Sequence, residues 1–176
     1  MRSGVPSRRY SFCPRCGSRF GSGVVHGLER MVCAGCRFVF WQNPVVGVAV
    51  IVLRGREVLL GRRARGAYAG TWCIPCGYVE YDEDVRDAAR REFREETGLD
   101  VVLGAVYAVH SNFHNPEMHS VGIWFRGEVA GGRLAAADDL DRVGYHALDA
   151  PPADLAFPTD RLVLEQLRTD PELAAR

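Results

Sequence analysis

Gly77–Leu99, GYVEYDEDVRDAARREFREETGL, constrains the chain more than any other stretch. Glu92, Glu95 and Glu96 stand three and four residues apart. On an α-helix that spacing puts all three carboxylates on one side. Like charges so placed destabilise a bare helix. A positive centre among them removes the conflict, and a hard divalent cation with oxygen ligands, Mg²⁺ or Mn²⁺, fits that role. Asp82, Glu83 and Asp84 put negative charge at the expected helix start, where the macrodipole favours it. Val85, Ala89 and Phe93 form an apolar stripe, and Gly98 is placed to end the helix in a left-handed cap.

The same residues carry a resemblance. Gly77, Glu83, Arg91, Glu92, Phe93, Glu95, Glu96, Gly98 and Leu99 fill every fixed position of the Nudix box. The resemblance implies a loop, a helix and a loop inside an α/β/α sandwich. It implies Glu92, Glu95 and Glu96 as ligands of the catalytic metal. Arg91 is expected to pair with the carboxylates and hold the cluster, through Glu83. The plain alternative, a solvated helix laced with charge, explains a single glutamate pair but not the whole pattern.

Six cysteines form three Cys-x-x-Cys pairs. Cys13–Cys16 and Cys33–Cys36 are separated by sixteen residues, the spacing of a four-cysteine zinc ribbon. Four thiolates leave no open coordination position, so this Zn²⁺ is expected to be structural. The third pair, Cys73 and Cys76, has the thioredoxin spacing. A redox dithiol, however, belongs at the start of a long helix that lowers its pKa. Here Gly77-Tyr78-Val79-Glu80 follows instead. In the resembling family this place reads Trp-x-x-Pro-Gly-Gly, so Cys76 stands where a glycine is usual.

The pattern along the chain predicts a flexible tail over 1–7, a zinc ribbon over 8–41 and a Nudix hydrolase domain over 42–176. Gln42-Asn43-Pro44 reads as the hinge. Strands are expected at Val45–Leu53 and Glu57–Gly61, joined by a tight turn at Arg54-Gly55-Arg56. Further strands are expected at Asp100–His110, Ser120–Val129 and Arg142–Leu148. A closing helix over Thr159–Thr169 has Leu162, Val163, Leu164 and Leu167 as its apolar residues.

Metal-dependent attack of water on a pyrophosphate needs anion-binding groups and a proton acceptor. Arg62, Arg63 and Arg65 precede Trp72 and are placed to meet phosphate. Outside the box, Glu117, Asp138 and Asp139 are candidates for the general base. Phe113 is a candidate to stack on a purine. His110, His114 and His119 share no metal-ligand spacing. Ribbon, hinge, hairpin and box together resemble zinc-ribbon Nudix hydrolases. The branch acting on NADH carries a Ser-Gln-Pro-Trp-Pro-Phe-Pro tag. His110-Ser111-Asn112-Phe113-His114-Asn115-Pro116 stands there instead, nearer the branch acting on ADP-ribose or FAD.

The expected activity is therefore cleavage of the pyrophosphate in a nucleoside diphosphate linked to a further group, ADP-ribose or FAD. The alternatives are an NADH, NAD-cap or nucleoside triphosphate pyrophosphohydrolase. From other classes come a ribbon that reads nucleic acid or protein, and a thiol-redox protein using Cys73 and Cys76. The formal charge of the whole chain is zero, which argues against bulk nucleic-acid binding. No apolar run is long enough to span a bilayer, and the arginine-bearing N-terminus has no signal-peptide core. The expected setting is the cytoplasm. The expected partner is a small nucleotide, with no membrane or nucleic acid and with a homodimer left open.

Overall fold

The computed structural model describes residues 10–171. The tail expected over 1–7 and the first residues of the expected ribbon lie outside them. The chain divides at Pro44/Val45 into two compact units.

The first unit is a small antiparallel sheet of β1 (Phe20–Val25), β2 (Leu28–Cys33) and β3 (Val39–Phe40). Val25 pairs with Leu28 across His26 and Gly27, both left-handed, as two-residue hairpin loops favour. Each cysteine pair sits in a tight turn. The Gly17 N–H donates to the Cys13 carbonyl (2.9 Å), and the Arg37 N–H donates to the Cys33 carbonyl (3.2 Å). The residue after each second cysteine is left-handed: Gly17 (φ 74°) in the first turn, Arg37 (φ 61°) in the second.

The second unit holds a mixed sheet. Its strands are β4 (Val45–Arg54), β5 (Glu57–Arg63), β6 (Trp72–Cys73), β7 (Cys76–Tyr78), β8 (Leu99–Asn112), β9 (Ser120–Gly132) and β10 (Leu140–Ala147). The spatial order is β10-β5-β4-β9-β8, with β6 on β5 and β7 on β4. β4 and β9 run parallel, Val45 opposite Ser120 through Val52 opposite Gly127. The expected hairpin closes at Arg54 opposite Glu57.

Side chains alternate across β4, so its apolar run feeds two cores. Val48, Val50 and Val52 pack with Ala88, Ala89 and Phe93 of α1 (Val85–Thr97). Ala49 and Ile51 pack with Val163, Leu164 and Leu167 of α2 (Pro158–Thr169). One helix on each face of the sheet makes the expected α/β/α sandwich. Two details differ from expectation. Leu162 is exposed, because it lies about 150° around the helix from the centre of the stripe of Val163, Leu164 and Leu167. The strands β6 and β7 are additional, too brief to show a period in the sequence.

Phe93 is almost wholly buried between α1 and the sheet. Phe93→Ala is expected to cost about 3–5 kcal/mol, whereas Leu162→Ala is expected to stay within about 0.5 kcal/mol. Chemical denaturation checks both; equal shifts of the two midpoints would contradict this packing.

Candidate active site

Helix α1 is fixed at both ends. The Asp84 carboxylate caps its start, accepting the Arg86 N–H (2.8 Å). Gly98 ends it at φ 69°, and its N–H donates to the Arg94 carbonyl (2.9 Å). A Cβ at Gly98 would stand 2.6 Å from the Arg133 carbonyl oxygen, so chain reversal there needs glycine.

Within this frame one guanidinium gathers the carboxylates. Arg91 Nε and NH2 donate to the two oxygens of Glu83, both at 2.8 Å. Its NH1 donates to Glu92 (2.8 Å) and Glu95 (3.1 Å), and NH2 also donates to the Tyr78 carbonyl (3.1 Å). The hydrogen bonds from Arg91 hold the Glu83 carboxyl below its ordinary range.

Glu96 is different. It is buried, and the Cys76 N–H donates to it at 2.8 Å. Burial pushes its pKa up to about 8, against that hydrogen bond. Burial raises Glu92 as well. Gly77 makes room for Glu92: a Cβ there would fall 2.0 Å from the carboxyl carbon. A buried carboxylate with one N–H partner beside a second, half-buried carboxylate is a donor set that suits a hard divalent cation.

Glu92 and Glu96 both open onto a cavity of about 460 Å³. Glu95 does not line it and is tied to the cluster through Arg91. Arg63 lines it, with its Nε buried and unpartnered and its NH2 3.4 Å from Asp139. Asp138 and Asp139 are on the same wall; Glu117 is not.

Arg62, Arg65 and Phe113, expected to meet the substrate, fall outside the lining. Arg62 makes a two-point pair with Asp141 (2.8 and 2.7 Å). Arg65 pairs with Asp138 and Asp139 (2.9 and 2.5 Å). Phe113 is exposed, its ring edge against His119.

The aromatic wall is formed instead by residues distant in sequence. Tyr68, His114 and Phe157 meet with ring centroids 5.3–5.9 Å apart, and all three line the cavity. The Arg63 guanidinium lies 5.7 Å from the Phe157 ring centre. Asp160 is also on this wall, buried, accepting from the Ile74 N–H (3.1 Å) and Trp124 Nε1 (3.3 Å). Burial lifts its pKa to about 7. The sequence held one signal for it: an aspartate three, four and seven residues before Val163, Leu164 and Leu167, on the apolar face of α2.

The cysteines separate into two kinds. The Sγ atoms of Cys13, Cys16, Cys33 and Cys36 all lie within 4.8 Å of one another, close enough to share one ion. Among the described residues no other group of three or more such side chains converges this way. The Ser18 backbone N–H and hydroxyl lower the Cys16 thiol to about 6, whereas Cys36, although its hydrogen bond with the Phe38 backbone lowers it, is pushed up to about 11 by Cys16 and burial, so one thiol of the cluster ionises at the expense of another. Cys73 and Cys76 sit on β6 and β7 rather than in the first turn of a helix. A hydrogen bond with Cys73, then burial, raise the Cys76 thiol well above its usual range, so nothing activates it as a redox thiolate. The Cys76 N–H, rather than the thiol, serves the site.

Comparison with known proteins agrees with this geometry. The family model described as NUDIX domain matches residues 43–167. The ADP-ribose pyrophosphatase of Methanocaldococcus jannaschii is 31% identical over 133 residues, which is 75% of this chain and 78% of that protein. The NAD-capped RNA hydrolase NudC of Pseudomonas aeruginosa is 31% identical over 166 residues, 93% of this chain. The chain spans only 56% of that relative's length. The crystal structure of a NUDIX hydrolase from Nitrosomonas europaea superposes with a TM-score of 0.80 at 28% identity, over 92% of each chain. The glutamate-bearing helix, the sheet that carries it and the matched span of sequence converge on one assignment: this chain belongs to the Nudix hydrolases.

Proposed function

We propose that the chain hydrolyses the pyrophosphate of a nucleoside diphosphate linked to a further group, ADP-ribose or FAD before NADH. The observation that carries the reading is the cavity itself. Its lining joins the carboxylates of Glu92 and Glu96, the Arg63 side chain and the ring cluster of Tyr68, His114 and Phe157. Its volume, about 460 Å³, is that of a small-molecule site. Anion-binding groups and flat apolar rings in one cavity suit a molecule that is part phosphate and part base. The M. jannaschii relative, named an ADP-ribose pyrophosphatase, supports the same substrate class. A second reading, an NAD-type cap or NADH, is supported by the NudC relatives' likeness over nearly the whole chain.

Glu92 and Glu96 on the cavity lining, with Glu95 beside them on α1 but off the lining, would hold Mg²⁺ or Mn²⁺, which supplies charge neutralisation and a water of lowered pKa when bound. Arg91 fixes the directions of Glu92 and Glu95 and draws its own position from Glu83. Arg63, which alone of Arg62, Arg63 and Arg65 lines the cavity, offers its guanidinium to a phosphate oxygen. Arg62 and Arg65 are already engaged with aspartates, so their part is to shape the loop. The proton of the attacking water passes to a carboxylate on the cavity wall: Glu92, Glu96, Asp138 or Asp139, in preference to Glu117. Stacking falls to Tyr68, His114 and Phe157 rather than Phe113. Residues 10–41 form a ribbon in which Cys13, Cys16, Cys33 and Cys36 hold a structural Zn²⁺, an arrangement suited to a reducing cytoplasm. Among the described residues no helix is long and apolar enough to cross a membrane.

Glu95→Gln and Glu96→Gln are expected to keep the fold and lower kcat by several orders of magnitude. Arg91→Gln, which acts through its neighbours, is expected to lose about 10–100-fold. Steady-state kinetics at saturating Mg²⁺ measure all three, and near-parental turnover of both glutamate variants would remove the metal-cluster mechanism.

Elemental analysis is expected to find one zinc per chain. Its removal by chelator should lower the melting temperature of the N-terminal unit while leaving turnover in added Mg²⁺ largely intact. Absence of zinc from protein purified without chelator would contradict this.

In a panel of ADP-ribose, FAD, NADH, capped RNA and nucleoside triphosphates, ADP-ribose or FAD should give the highest kcat/KM. A tenfold advantage for NADH or capped RNA, about 1.4 kcal/mol of transition-state discrimination, would favour the second reading instead.

A further inference from the structure

The zero net charge of this chain is the sum of two unlike parts. Residues 1–44 carry seven arginines and a single acid, Glu29, a formal charge of +6. Residues 45–176 carry fifteen arginines against twenty-one carboxylates, a charge of −6. Arg2, Arg8 and Arg9 lie outside the described residues; the described part of the module, residues 10–44, still carries four arginines against Glu29, a charge of +3, and the whole-chain figure that argued against nucleic acid does not describe it.

The arginines of the two units also differ in what they touch. In the second unit nine of the fourteen described arginines, Arg54, Arg56, Arg62, Arg63, Arg65, Arg90, Arg91, Arg94 and Arg168, pair with a carboxylate, and Arg86, Arg126, Arg133, Arg142 and Arg161 do not. Among the described residues of the first unit, Arg15, Arg19, Arg30 and Arg37 make no ion pair. Glu29, the acid within reach of the module, takes a hydrogen bond from Ser22 instead. Three of the four guanidiniums lie on aromatic rings: Arg15 on Phe38 (5.4 Å), Arg19 on Phe12 (5.0 Å) and Arg30 on Trp41 (5.4 Å). Several rings of the module are open to solvent where a packed fold would normally cover them: Phe12 is 53% exposed, Trp41 49% and Tyr10 45%. Tyr10, Phe40, Phe20 and Phe38 continue as a row, with successive centroids 5.0, 6.2 and 6.4 Å apart. Unpaired guanidiniums interleaved with open rings combine the two requirements of single-strand binding, charge for the backbone and flat apolar faces for unstacked bases.

We infer that the cysteine module is a binding surface for single-stranded nucleic acid, through Arg15, Arg19 and Arg37 on the phosphates and Phe12 and Trp41 on the bases. The inference goes beyond the hydrolase reading and does not depend on which small nucleotide is cleaved. Arginine serves both tasks, since its planar guanidinium pairs with phosphate and stacks on rings. A duplex hides its bases from such a surface. An acidic protein would satisfy the arginines but leave the rings unused.

The test uses the full zinc-loaded chain and a short fluorescein-labelled oligouridylate, followed by anisotropy across a salt series. Binding is expected to weaken steeply with salt. The variant Arg15→Gln/Arg19→Gln/Arg37→Gln should lose about tenfold or more at low salt, with the log–log slope reduced by about 0.7 per arginine removed. Trp41→Ala and Phe12→Ala should weaken binding while leaving that slope unchanged, because a stacked ring releases no counterion. Zinc content and turnover of the small nucleotide should stay at parental values in every variant, so failure here and failure of the hydrolase reading are separable. Parental affinity in the triple-arginine variant would overturn the proposal. So would a heparin fragment of matched charge binding as tightly as the oligonucleotide, with the ring variants unaffected. That outcome would mean general attraction of polyanions. The single substitution Arg19→Gln, at an exposed position, carries the same test if the triple variant loses zinc.

Discussion

Three glutamates on one side of a helix repel one another, and the site exists because a single guanidinium offsets that repulsion. Arg91 binds Glu83 with two parallel hydrogen bonds and reaches Glu92 and Glu95 with its remaining nitrogen. This planar fork has a geometry that a lysine ammonium cannot reproduce. The same residue ties the end of β7 at Tyr78 to the helix, so charge balance and strand position are set together. Glu96 lies outside this arrangement. Its carboxylate is buried with one N–H donor, and the local structure favours a cation or a proton there.

The sheet places this helix. β4 is buried on both faces, so its alternate residues pack α1 on one side and α2 on the other. β7 pairs with β4 and brings Cys76 and Gly77 against Glu96 and Glu92. The parallel pairing of β4 with β9 sets Ser120 and Gly122 on the cavity wall, and α2 adds Thr159 and Asp160. The cavity is thus assembled from segments that are remote in sequence and joined by one central strand.

Composition averaged over a chain can conceal function. The balanced charge here is compatible with a neutral enzyme, yet the arginines are distributed unevenly and, among the described residues, are paired in only one of the two units. Electrostatic attraction acts over about 10 Å at ordinary salt, so the local distribution governs it and the total does not.

The sequence by itself determined the parts that depend on local periodicity and fixed spacing. The glutamate helix from its Asp84 cap to its Gly98 cap, the Arg54–Glu57 hairpin, the two-sided strand β4 and the convergence of four cysteines all follow from neighbours within a few residues or from paired knuckles. The tertiary structure alone decided which residues share the cavity. Arg62, Arg63 and Arg65 are equivalent by composition, yet strand alternation and the pairing of β5 with β10 turn Arg62 toward Asp141 and leave Arg63 on the cavity wall. Tyr68, His114 and Phe157 carry no common motif, and they meet because the loops after β5 and β8 and the start of α2 converge at one end of the strands. Local spacing is a property of one element, whereas a site wall is a property of how elements pack, and packing brings together residues whose separation in sequence carries no periodic signal.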